Sequence, residues 1–208
     1  MKEFQLDRFL IASGFIGPVI FFLTIYILFP LFYPGYDMKN QTISELGDIK
    51  SPVQVFANVF GFSLLGIFIM LFACGVFRFK EINAIGKTSS VFIFIAGILV
   101  YLVGVFYGGP GGTYTTLATL HQAAANYPFP LLAAGYILFA LSVLRNKKIR
   151  WLAVPIVIIG LSTLYFASMF FTQAEISSRG IIQRLAIGLP ILLMAIISIT
   201  LYRLKSKR

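Results

Sequence analysis

Charged side chains are scarce in this chain. They make up 12% of its 208 residues, while 59% are apolar; a soluble domain carries about 25% charged residues. The balance argues against a soluble globule. Cysteine is rarer still. Cys74 stands alone in an apolar run, so no disulfide within the chain and no thiolate cluster can form, and it reads as a small buried hydrophobe. His121 is the sole histidine. With so few soft ligands, bis-histidine haem and Cys/His or multi-histidine zinc sites are excluded. There is no Gly-x-Ser-x-Gly elbow, and no lysine at the Walker position after the glycine-rich stretch 108–112. No cofactor and no metal is expected.

What is present is long apolar sequence. Runs such as 91–106 and 151–171 reach or approach the ~20 residues that cross ~30 Å of hydrocarbon. Backbone groups in lipid must be satisfied internally, so these runs are expected to be helices. Their unbroken apolar character, without alternation, argues against a β-barrel. The reading is an all-α bundle of six transmembrane helices in one membrane domain, 1–208, with helices at about 9–31, 52–77, 89–106, 115–144, 151–171 and 181–204. The first run is too long for the core of a signal peptide and lacks a clear small-residue cleavage site, so it is expected to be a retained span. Pro18, Pro155 and Pro190 fall inside spans and are expected to bend them. Pro128 and Pro130 are expected to split the fourth segment.

Basic residues set the orientation. Lys2, Arg8, Arg78, Lys80, Lys87, Arg145, Lys147, Lys148, Arg150 and the C-terminal cluster share one side, and the other carries only Lys39, Lys50, Arg179 and Arg184. Both termini are therefore expected to be cytoplasmic, in a multi-pass protein of the cell membrane. The net charge of +10 then marks contact with membrane lipids and not with nucleic acid, for no basic and aromatic interleaving accompanies it. A protein partner or a second copy stays open.

This orientation gathers Asp37, Glu45, Asp48, His121, Glu175, Arg179 and Arg184 on the outer face. Thr42-Ile43-Ser44-Glu45 has the form of a capping box, so the 33–51 loop is expected to hold one helical turn ending at Gly47. Ser51-Pro52-Val53-Gln54 has the same form and is expected to start the second helix. Gln54 and Asn58 are one turn apart, as are Gln122 and Asn126 with His121 on their shoulder. Such amide stripes line a polar cavity or make interhelical hydrogen bonds, and both readings stay open. His121 is the candidate acid/base, with Glu45 or Asp37 as its orienting carboxylate and Ser44 as a weaker hydroxyl candidate. Arg179 and Arg184 are candidate contacts for an anionic headgroup, or plain interface anchors. Asp37, Glu45 and Asp48 are a weak candidate for an oxygen-rich Ca²⁺ site. The 108–112 turn can hold an anion or simply connect helices, and Asn40-Gln41-Thr42 is a glycosylation sequon.

Tyr33-Pro34-Gly35-Tyr36-Asp37, then Gln41, Ile43-Ser44-Glu45-Leu46-Gly47 and Ser51-Pro52, resemble the signature of the six-helix membrane family known as domain of unknown function 998. Leu120-His121-Gln122-Ala123-Ala124 resembles its second motif. The resemblance spans nearly the whole chain and implies a prokaryotic, often archaeal, inner-membrane protein. It implies no activity, so it lends no residue a role.

Three functions remain from the residues: a protein that binds or processes a lipid or similar amphiphile at the extracytoplasmic face, a non-catalytic membrane subunit or scaffold, and a small-solute transporter. The transporter is the weakest, because no charge lies deep in a span and no inverted repeat is visible. Orientation is directly testable. In a Cys74→Ala background, an impermeant thiol reagent added outside should label a cysteine placed at Lys50 or Gly111 and miss one at Lys147. The reverse pattern refutes the orientation.

Overall fold

A computed structural model describes residues 2–107, 116–172 and 177–206. Six helices in it are long and apolar enough to cross a membrane: α1 Phe4–Leu31, α2 Gln54–Arg78, α3 Ala84–Val105, α4 Thr116–Val143, α5 Arg150–Thr172 and α6 Arg179–Lys205. No strand occurs among the described residues. The chain is an all-helical multi-pass membrane protein. Each helix packs on the next, and α6 returns to α1, so the six close into a ring. With an even number of passes, both ends of the chain fall at the same end of the ring.

Ion pairing fastens that end. The Asp7 carboxylate takes Arg78 and Lys205, each at 2.6 Å, and Arg8 donates to the Tyr202 hydroxyl at 2.6 Å. These contacts join α1, α2 and α6. Within the spans the helices are linked by single polar bonds: Ser198 to the Ile11 carbonyl and Tyr136 to the Pro190 carbonyl, both 2.6 Å. Bonds of this kind in a bilayer contribute about 0.6 kcal/mol on average, so close packing must supply most of the cohesion. Gly66 shows how. A Cβ placed there would run into the backbone of Gly97 and Tyr101, so only hydrogen allows α2 and α3 to approach this closely.

Local sequence explains most boundaries. The fourth segment breaks where the prolines suggest, into Thr116–Asn126 and Pro128–Val143. α3 starts at Ala84 and not near 89, because the Asn83 side chain caps the Gly86 amide at 3.1 Å. α2 starts at Gln54 and not at Pro52: Ser51 Oγ accepts from the Val53 amide, closing a turn ahead of the helix. Two stretches depart from regular α-helix altogether. Phe22–Leu28 and Ala57–Ser63 are π-helical and touch each other across the α1–α2 contact. Their i→i+5 bonds shift the side-chain register, so a 3.6-residue period cannot be read through them.

Gly66→Val is expected to force α2 and α3 apart and to cost about 1–3 kcal/mol. Unfolding of the purified variant in detergent, compared with the parent protein, measures it.

Candidate functional site

At the end of the ring opposite the termini, residues 33–51 form an ordered cap. Gly35 (φ +78°) follows Pro34, and the Tyr36 amide reaches the Tyr33 carbonyl at 3.1 Å, closing a turn that needs glycine third. Ile43–Gly47 is a 3-10 helix whose start is the expected capping box: Glu45 Oε1 accepts from the Thr42 amide at 2.9 Å and from its hydroxyl at 3.0 Å. Ile43 and Leu46 point inward and are fully buried.

The start of α6 holds this cap. Arg184 donates through one terminal nitrogen to the carbonyls of Met38 (2.8 Å), Gln41 (2.9 Å) and Gly180 (3.0 Å), and through the other to Tyr36 Oη (2.6 Å). The Tyr36 hydroxyl in turn donates to the Thr42 carbonyl at 2.7 Å, and burial raises its pKa, which keeps the phenol protonated. Gln183 works beside it. Its Oε1 accepts from the Ile43 amide at 2.7 Å and its Nε2 donates to Ser44 Oγ at 3.1 Å. From α2, Asn58 donates to the Gly47 carbonyl at 2.9 Å.

Beneath the cap lies a cavity of about 1090 Å³. Its polar lining includes Thr42, Ser44, Glu45, Asp48 and Lys50 from the cap, Thr119, His121, Gln122 and Asn126 from α4, and Arg179 and Gln183 from α6. Its apolar lining includes Phe21, Phe62, Leu65, Leu132, Ile187 and Ile191, from α1, α2, α4 and α6. The sequence-level candidates divide accordingly. His121, Glu45, Ser44, Gln122, Asn126 and Arg179 share this cavity; Asp37, Gln54, Asn58 and Arg184 do not line it.

Several expectations need correction. His121 does not pair with Glu45 or Asp37. It is buried, and its Nδ1 faces the carbonyls of Val103, at 3.1 Å, and Phe106 at the end of α3. Two carbonyl acceptors require Nδ1 to carry the proton, so the neutral ring presents Nε2 as an acceptor. Glu45 is committed to the capping box and to the Gln41 amide at 3.1 Å. Asp37 is exposed, and the Lys39 amide and then the Asn40 side chain lower its pKa. Of the acids, Glu45 and Asp48 line the cavity that His121 lines, and neither bonds to it. Arg184 has its terminal nitrogens occupied by the protein, so it is a clamp and not a headgroup contact. Asn58 is spent on the Gly47 carbonyl of the cap and does not join a stripe on the cavity. Among the described residues no three acidic, histidine or cysteine side chains converge to hold a metal, so Asp37, Glu45 and Asp48 do not build a Ca²⁺ site. The sequon's Asn40 has its amide tied to Asp37 and to the Ser178 amide. The 108–112 turn and Glu175 lie outside the described residues.

Arg179 is different. Its guanidinium stacks on the Phe170 ring, 4.8 Å from the centroid, and its Nε is buried without a hydrogen-bond partner. No carboxylate among the described residues forms an ion pair with it. Gln183 was not singled out from the sequence. The signal was there, as a second polar residue opening an otherwise apolar helix.

Arg184→Gln should release the cap. Losing charge-assisted bonds to buried carbonyls is expected to cost about 3 kcal/mol, with faster amide exchange at Ile43 and Glu45 as the local readout.

The family model described as protein of unknown function (DUF998) matches residues 15–200. The chain belongs to that family. No curated protein and no solved structure matches the chain.

Proposed function

We propose that this family member binds, and presents for processing, a lipid or similar amphiphile at the extracytoplasmic face of a prokaryotic cell membrane. One observation carries the reading: a cavity of about 1090 Å³ that is polar under the cap and apolar along the spans. Pockets for drug-sized molecules occupy about 300–1,000 Å³, so the space suits a molecule larger than a small solute. A polar end joined to an apolar wall is the shape of an amphiphile.

The two ends contribute differently. Moving a methylene from water to an apolar wall gains about 0.8 kcal/mol. A chain arriving from the bilayer is already in hydrocarbon, which is as apolar as leucine, so the wall sets capacity and the polar end sets choice. If the bound molecule is processed, His121 Nε2 is the acid/base candidate. The α3 carbonyls, in place of a carboxylate, fix its tautomer, and Ser44 and Asp48 stand in the same lining.

Ala123 lines the cavity and is exposed, so Ala123→Trp should fill the space without disturbing the core. Native mass spectrometry from lipid nanodiscs is expected to find one retained amphiphile on the parent protein and at least a severalfold loss on the variant, with unchanged thermal unfolding. A parent protein that retains none refutes the reading.

A further inference from the structure

We infer that the amphiphile's headgroup carries both an anionic group and a hydroxyl, the first taken by Arg179 and the second by Nε2 of His121. This rests on the amphiphile reading above and names what the polar end selects. Arg179 lines the cavity with a permanent charge, its face covered by Phe170 and its Nε unpartnered. This half-buried cation has no ion-pair partner among the described residues, which leaves it open to an anionic ligand, and a guanidinium matches the two oxygens of a phosphate or carboxylate. Arg184 cannot serve, because Met38, Gln41, Gly180 and Tyr36 already occupy it, and Lys50, the other cation on the lining, is exposed to solvent.

His121 adds a second requirement. Its ring is buried, yet lines the cavity, and Nδ1 is committed to the Val103 and Phe106 carbonyls. Nε2 has no hydrogen bond to any described residue, and in the neutral ring it only accepts. A headgroup made solely of acceptor oxygens leaves that lone pair unmatched, and a hydroxyl satisfies it. The neighbouring Gln122 and Asn126 satisfy each other at 2.6 Å, so they make a weaker demand on the ligand.

The test reconstitutes the full chain in nanodiscs and reads retained lipid by native mass spectrometry. The nanodiscs contain equal minor amounts of phosphatidylglycerol (anionic, with hydroxyls), phosphatidylethanol (anionic, without them) and diacylglycerol (a hydroxyl, no anionic group) in a phosphatidylcholine bilayer. Phosphatidylglycerol should be enriched about tenfold over diacylglycerol, the scale of one charge-assisted contact, and severalfold over phosphatidylethanol. Arg179→Gln should abolish the first preference and Arg179→Lys restore part of it, while His121→Phe should abolish the second. Because His121→Phe also removes bonds to α3, the comparison of lipids on the parent protein is decisive. Equal retention of all three lipids overturns the inference and leaves the amphiphile reading standing. Equal retention of the two anionic lipids overturns the hydroxyl requirement. Retention of no lipid overturns the amphiphile reading itself. Added inorganic phosphate that raises the unfolding temperature through Arg179, with no lipid retained, assigns the site to a free anion and overturns both.

Discussion

The clamp between Arg184 and the 33–51 cap is the interaction on which the rest of the site depends. A non-regular segment at the end of a membrane bundle carries backbone groups that need hydrogen-bond partners. Here one guanidinium reaches three carbonyls and a phenol, and the adjacent Gln183 takes an amide and a hydroxyl. The cost is a buried charge, whose Nε stays unpartnered. Such a group is tolerated when its remaining donors are well matched, and is strongly destabilising once they are not. Holding the cap in place seats Ile43 and Leu46 in the core and sets Ser44, Glu45 and Asp48 on the cavity lining.

The ring explains why there is a cavity to line. Six helices packed in sequence leave central space that side chains must fill. Part of it is filled by Phe72, Tyr136, Phe139 and Leu201, all nearly fully buried. Elsewhere the chain breaks its own regularity. α4 is interrupted at Tyr127, and α1 and α2 carry facing π turns. π turns recur at functional sites because they re-aim side chains out of the helical period. Phe21 precedes the first of these turns and Phe62 lies within the second; their rings are 6.5 Å apart and line the cavity.

Two arginines on adjacent turns of one helix thus have opposite fates. Arg184 is consumed by the fold, and Arg179 has no ion-pair partner among the described residues. The same division runs through the acids, with Asp7 in the ion pairs at the terminal end, Glu45 in a cap, and Asp48 on the cavity. Polar residues in a bundle this apolar are few, and most have structural duties. Those without a described partner carry the functional argument.

The sequence by itself determined the helical class, the number of spans, the split at Pro128, the capped turn at Ile43–Gly47 and the gathering of His121 and Arg179 with the polar loop at one end of the bundle. Each rests on a local or compositional rule: hydrocarbon thickness, proline's missing amide, a Thr-x-x-Glu box, and the low tolerance of lipid for polar groups. Only the tertiary structure decided who bonds with whom. That His121 turns to the α3 carbonyls and not to Glu45, that Arg184 serves the cap while Arg179 does not, and that Asn58 bonds the Gly47 carbonyl depend on how the ring closes. These are contacts between segments as many as 148 residues apart, as for Arg184 and Tyr36, and a helical period read along one segment carries no information about which partner will lie across from it.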